Sequence, residues 1–156
     1  VKIQNEEIEY FSSDKDINSI NIDKDSYALL IPLNQKLIIN NKQKNIIFNY
    51  LKSNISKVFN LVSDNQFEKA LEEAFQEMNY NECTDDQCIQ YIQDYLQVEN
   101  IFKFEMIEES KNIQMTIELM DLDRRYVVSK YCEKCSLKEL IKYSNDLLYD
   151  LLKNKY

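Results

Sequence analysis

Phe102-Lys103-Phe104-Glu105-Met106, then Glu109-Ser110-Lys111-Asn112, then Ile113-Gln114-Met115-Thr116-Ile117-Glu118-Leu119 is the stretch that decides the fold. Apolar side chains fall on every second residue on both sides of a polar break, the period of a strand and not of a helix. The stretch predicts an antiparallel hairpin with one buried face. Asp121-Leu122-Asp123-Arg124 offers a second turn, and Tyr126 to Tyr131 a third strand.

Upstream of the hairpin the period changes. Phe67, Leu71, Ala74, Phe75 and Met78 keep helical spacing, with Ser63, Asp64 and Asn65 available to cap the helix they define. A helix from Asn45 to about Val58 carries Ile47, Tyr50, Leu51, Asn54 and Val58, and a third, from about Asp85 to Gln97, carries Ile89, Ile92, Tyr95 and Leu96. Two short apolar runs read as buried strands. They are Ser26 to Ile31, closed by Pro32, and Phe59 to Val62. Lys36 to Ile39 is a loop or a short strand. Downstream, Leu137, Leu140, Ile141, Ser144, Leu147, Leu148 and Leu151 make a continuous stripe, and the nearest apolar surface able to bury it is the sheet.

The expected order is β-α-β-α-α-β-β-β-α, a mixed α/β sheet with a C-terminal antiparallel hairpin, covered by helices. Residues 1–25, with isolated Ile17, Ile20 and Ile22 among polar neighbours, read as an irregular arm with room for one edge strand, and residues 26–156 as one domain. At 156 residues such a domain can bury roughly 68–70% of its unfolded surface, enough for a complete core.

Charge and composition exclude several functions. The net charge is −8 and the pI about 4.7, which opposes nucleic acid and anionic membrane surfaces because both need clustered cations. The longest apolar runs fall far short of the ~20 residues of a membrane helix. The chain opens at Val1 without a basic–apolar leader, as expected of a processed chain or a piece of a longer one. With no glycine, phosphate-cradling glycine loops are excluded, and left-handed turn positions are expected to fall to asparagine or aspartate. With no histidine, the commonest general base and metal ligand are missing.

Four cysteines form two close sets, Cys83 with Cys88 and Cys132 with Cys135. Pairing within each set gives two short disulfide loops in an oxidising compartment. The same residues could instead make a four-thiolate zinc site, or a redox-active Cys132-Glu133-Lys134-Cys135 motif, in a cytosolic regulator. Carboxylates recur at Glu72-Glu73, at Glu82 with Asp85-Asp86, and at Asp121 with Asp123. They are read as a solvated acidic surface, so no catalytic, cofactor-binding or metal residue is assigned. Tyr27, Tyr50, Tyr95, Tyr126 and Tyr131 sit at periodic positions and are expected in the core or at its rim.

Glu82-Cys83-Thr84-Asp85-Asp86-Gln87-Cys88-Ile89, the hairpin, the turn Met120-Asp121-Leu122-Asp123, and Tyr131-Cys132-Glu133-Lys134-Cys135-Ser136 running into the last helix together resemble a bacterial envelope family. It comprises the amino-terminal domain of TolB, the curli-secretion protein CsgG and the lipoprotein activators of penicillin-binding proteins. The resemblance covers about residues 26–153. It departs where the family has glycines, since Asn100, Asn112 and Asp123-Arg124 stand near those places. It implies that Cys83, Cys88, Cys132 and Cys135 are a structural set with no catalytic residue among them. The implied function is a non-enzymatic binding or scaffolding module, periplasmic or outer-membrane-associated, that engages a protein partner.

Overall fold

In the computed structural model, which describes residues 15–33, 41–78 and 86–156, the alternating stretch is a hairpin of β3 (Asn100–Glu109) and β4 (Asn112–Met120). Ser110 and Lys111 connect them at φ 50° and 70°, with Glu109 opposite Asn112. Both turn residues at positive φ match the right-handed twist of the strands they join.

Around the hairpin the sheet runs β2-β1-β3-β4-β5, with β1 at Tyr27–Leu33, β2 at Asn60–Leu61 and β5 at Arg125–Glu133. β1 is parallel to both β2 and β3, and the remaining pairs are antiparallel. Helices α1 (Asn41–Ser56), α2 (Asp64–Met78), α3 (Asp86–Leu96) and α4 (Leu137–Lys155) complete the expected order. Lys36 to Ile39, which reads as a loop or short strand, lies outside the described residues.

Two cores lie on opposite faces of the sheet. On one, Phe102, Phe104 and Met106 of β3 and Ile113, Met115, Ile117 and Leu119 of β4 pack against Ile47, Leu51 and Ile55 of α1 and the leucine stripe of α4. Ile17, Ile20 and Ile22 join this core around a single 3-10 turn at Ile17–Ser19. Residues 15–25 form no strand and are anchored by these isoleucines, where the sequence suggests an irregular arm. On the second face, Leu29, Ile31, Ile101 and Met120 meet Ala70 and Ala74 of α2 and Cys88, Ile89 and Ile92 of α3. The hairpin therefore does not bury one face only. At its open end both faces are covered, and Lys103, on the face expected to meet solvent, is only 6% exposed.

Local chemistry sets the element ends. Ser136 caps α4, its hydroxyl accepting from the Glu139 N–H while the Glu139 carboxylate accepts from the Ser136 N–H. Ser63 and Gln66 repeat that reciprocal box at the start of α2. At the end of α3, Gln97 turns left-handed, with Val98 N–H donating to the Gln93 carbonyl and Gln97 N–H to the Asp94 carbonyl, a Schellman closure.

Pro32 lies within β1, which the sequence ends at Ile31, and the backbone explains why it is tolerated. The Ala28 carbonyl accepts from Val62 N–H on the β2 side, so alternation turns the Leu30 and Pro32 backbone to that side as well. β2 covers only Tyr27 and Ala28. The missing proline N–H thus faces a side with no ladder to break.

The left-handed positions differ from expectation. Among the described residues they are Gln97, Ser110, Lys111 and Lys134, with neither asparagine nor aspartate. Tertiary contacts dictate the conformation there and outweigh a side-chain clash of roughly 1–2 kcal/mol per residue. Replacing Ser110 by Asn and Lys111 by Gly should therefore raise unfolding stability by about 1–2 kcal/mol, read as a higher urea midpoint at unchanged slope.

Candidate functional site

Cys132 and Cys135 are joined as a disulfide with Cα atoms 5.8 Å apart, at the junction of β5 and α4. Cys132 is buried in the core under α1 and α4, and Cys135 is half-buried. Cys88, also disulfide-bonded, is fully buried on α3 in the opposite core. Cys83 lies outside the described residues. Because Cys88 and the Cys132–Cys135 pair sit on opposite faces of the sheet, the fold does not assemble the four-thiolate zinc centre that the spacing allows. Among the described residues, no group of three or more His, Cys, Asp and Glu side chains is placed to hold a metal.

Beside the disulfide, a cavity of about 540 Å³ is lined by Gln43, Glu108, Lys111, Ile113, Lys134, Cys135, Ser136, Leu137 and Leu140. Its polar groups include two lysines and one carboxylate.

The carboxylates separate by role. Asp121 accepts from the N–H groups of Asp123 at 2.8 Å and Arg124 at 2.6 Å, and Lys155 Nζ lies 3.2 Å away while also donating to Asn100 at 2.6 Å. Burial alone would raise the Asp121 pKa, but the backbone donors and Lys155 outweigh it and hold it low. Asp121 therefore fixes the β4–β5 turn and ties the end of α4 to the sheet. Asp86 lies 3.1 Å from Arg125 and 3.2 Å from the buried Lys103. Hydrogen bonds from Arg125 and Lys103 keep its carboxyl below the usual range. Arg125 Nε also lies 2.7 Å from Glu118 Oε1, a contact of opposite charges outside hydrogen-bond alignment that leaves this buried oxygen without a hydrogen bond. This cluster stitches α3 to β3, β4 and β5. Glu82 and Asp85 lie outside the described residues.

An acidic face remains on α2 and α3. Glu68, Glu72, Glu73 and Glu77 of α2 stand against Lys69 alone in their stretch. On α3, Tyr91 and Tyr95 stack with ring centroids 6.4 Å apart. Partial burial, then the charges of Glu77 and Glu73, raises the Tyr91 pKa. Tyr95 is 49% exposed.

The tyrosines read as core or rim divide accordingly. Tyr126 packs against the core, whereas Tyr27, Tyr50, Tyr95 and Tyr131 are exposed. Each lies at a periodic position on an exposed side of its element, and spacing alone does not reveal which side that is. Sequence reasoning missed Lys103 and Arg125. A lysine inside an alternating apolar strand was the available signal for the first, and Arg125 gave none.

No family model and no curated protein matches this sequence. Solved structures do. The LpoB C-terminal domain from Salmonella enterica superposes with a TM-score of 0.53 at 12% identity, over 80% of this chain and 98% of that one. Lipoprotein GNA1162 from Neisseria meningitidis gives 0.49 at 12% identity over 83% and 97%. TolB from Acinetobacter baumannii gives 0.48 at 11% over 87% of this chain and 30% of TolB. The chain shares the α/β fold of the LpoB C-terminal domain.

The sign of the Asp86 shift fixes a pH response. A carboxyl with a lowered folded pKa contributes stability that is complete above its unfolded value near 3.8 and is lost as pH falls through the folded value. Asp86→Asn should lower the urea midpoint at neutral pH, and the gap to the unmodified protein should close as pH drops below about 3.8.

Proposed function

We propose that this domain is a non-enzymatic module of the bacterial cell envelope, periplasmic or outer-membrane-associated, that binds a protein partner during assembly of a larger complex. The observation that carries this reading is the stacked pair Tyr91 and Tyr95 on α3, with Tyr95 exposed and α2 carrying Glu68, Glu72, Glu73 and Glu77 against Lys69 alone. Tyrosine supplies wide contact area at low entropic cost, and flanking carboxylates select a basic partner surface. Fold likeness to the LpoB C-terminal domain supports the setting. The Cys132–Cys135 disulfide supports an oxidising compartment. No described helix is long and apolar enough to cross a membrane.

The four cysteines act structurally in this reading, Cys83 closing a second short loop with Cys88. Intact native protein is expected four hydrogens lighter than the reduced form, and each four-residue or six-residue loop adds about 2 kcal/mol at most. Zinc retained on free thiols would overturn it.

The partner is tested by affinity capture from envelope extract. The unmodified domain should return one partner reproducibly, with affinity falling as salt rises. Glu73→Lys with Glu77→Lys, and separately Tyr95→Ala, should each weaken capture by about tenfold or more without changing the unfolding free energy by over ~0.5 kcal/mol. Capture indifferent to all three substitutions would exclude this face.

A further inference from the structure

The hydrogen-bond phase of the sheet reaches an edge that the described residues leave open. Asp121 N–H donates to the Arg124 carbonyl at 3.0 Å, so this pair faces inward across the turn between β4 and β5. In an antiparallel ladder, inward-facing and outward-facing residues alternate. Tyr126, Val128, Lys130 and Cys132 therefore bond to β4, opposite Leu119, Ile117, Met115 and Ile113. The other hairpin gives the same phase. Its two-residue turn closes on Glu109 and Asn112, which turns the even residues of β4 to β3 and its odd residues to β5. Arg125, Val127, Ser129, Tyr131 and Glu133 thus present their N–H and C=O groups outward, and β5 is the last strand of the sheet.

Their side chains project to the α2–α3 side of the sheet, where Arg125 reaches Asp86 at the start of α3 while Val127, Ser129, Tyr131 and Glu133 are exposed. Val127 is 54% and Tyr131 58% exposed. Lys130, which would protect an edge if it lay across it, is drawn to the other face, its Nζ 3.7 Å from the centre of the Tyr143 ring.

We infer that β5 is a self-pairing edge, on which a second copy of this chain docks antiparallel about Ser129 to continue the sheet across a two-fold axis. The sequence of the edge is complementary to its own reverse. With Ser129 opposite Ser129 of the other copy, Val127 meets Tyr131, a β-branched and aromatic pair, and Glu133 comes opposite Arg125, which its own Asp86 and Glu118 hold at that end of the strand. This register overlaps all of β5 and pairs outward-facing residues only with outward-facing residues, as the ladder requires. A two-fold axis needs just such a surface. An unrelated strand would satisfy the same backbone groups but would not be specified by this arrangement of side chains. The surface is separate from the α2–α3 face, so the inference does not rest on the proposed partner.

Sedimentation equilibrium over a wide concentration range, with amide hydrogen exchange read residue by residue, tests it. A dimer should form, and the amides of Val127, Ser129 and Tyr131 should pass from fast exchange at low concentration to protection at high concentration. Those of Tyr126, Val128 and Lys130 should be protected throughout. Val127→Pro removes an outward N–H without touching the β4 ladder, and Glu133→Arg sets like charges opposite each other. Each should weaken association by about tenfold or more, with the Val128 amide reporting that the fold persists. Glu73→Lys with Glu77→Lys should leave the dimer unchanged. A chain monomeric at its solubility limit overturns the inference. So does a dimer in which the Val127, Ser129 and Tyr131 amides stay unprotected, or one that survives both β5 substitutions. Concentration-independent protection of those amides would show the edge already covered within one chain, and would overturn it equally.

Discussion

From Asn100 to Phe104, strand β3 is hydrogen-bonded on both edges and buried on both faces, and the other elements are arranged to satisfy it. Its parallel partner β1 and antiparallel partner β4 complete its backbone bonds. Phe102, Phe104 and Met106 commit one face to α1 and α4, while Ile101 commits the other to α2 and α3. A strand so placed has no solvent to satisfy a stray polar group. Lys103 is held by Asp86, and Asn100 by Lys155. Each of these contacts also anchors a helix end to the sheet, so the polar demands of the central strand help set where α3 begins and α4 ends.

The sequence reveals the parts of this arrangement that local period dictates. Alternation across Phe102 to Leu119 can only be a hairpin. The stripe from Leu137 to Leu151 can only be a helix over a sheet, and its start is marked by Ser136 and Glu139. The order of elements follows. What period does not carry is how far a neighbouring element extends. Lys103 reads as solvent-facing because its strand alternates, yet α3 reaches over it. Tyr131 reads as core rim for the same reason, yet no described helix covers it and it is exposed. The isoleucines of residues 17–22 lack a regular spacing because a 3-10 turn and extended chain, not a helix or strand, bring them to the core. The candidate site was less legible than the fold. Cysteine spacing suggested pairs and left zinc open, and only the placement of Cys88 and Cys132 on opposite faces separates the two.

A chain without glycine must make its left-handed turns at a cost, and the positions chosen show where long-range structure is strongest. Ser110 and Lys111 are clamped by the nine-pair ladder of β3 and β4. Gln97 is held by two backbone bonds and the buried Val98 behind it. Lys134 lies inside the disulfide loop. In each case the conformation is imposed from both flanks, so residue preference at the turn decides little.

Covering decreases across the sheet, and that gradient separates stability from interaction. Near β1 and β3 both faces are packed, and substitutions there act on the core. Toward β5, among the described residues, only the α1–α4 side is packed, which suffices to hold the strand through Val128 and Cys132 while Val127 and Tyr131 on its other side stay exposed. The Cys132–Cys135 bond fixes the end of that strand at the start of α4, reducing the disorder a half-covered edge would otherwise have. An edge ordered by covalent and core contacts on one side loses little further entropy when its other side is bound. The same logic holds on α2 and α3, where the alanines Ala70 and Ala74 seat the helix closely on the sheet side and leave the glutamates, with Tyr95, on a rigid outer face. Both surfaces are thus presented by elements whose positions the core has already determined.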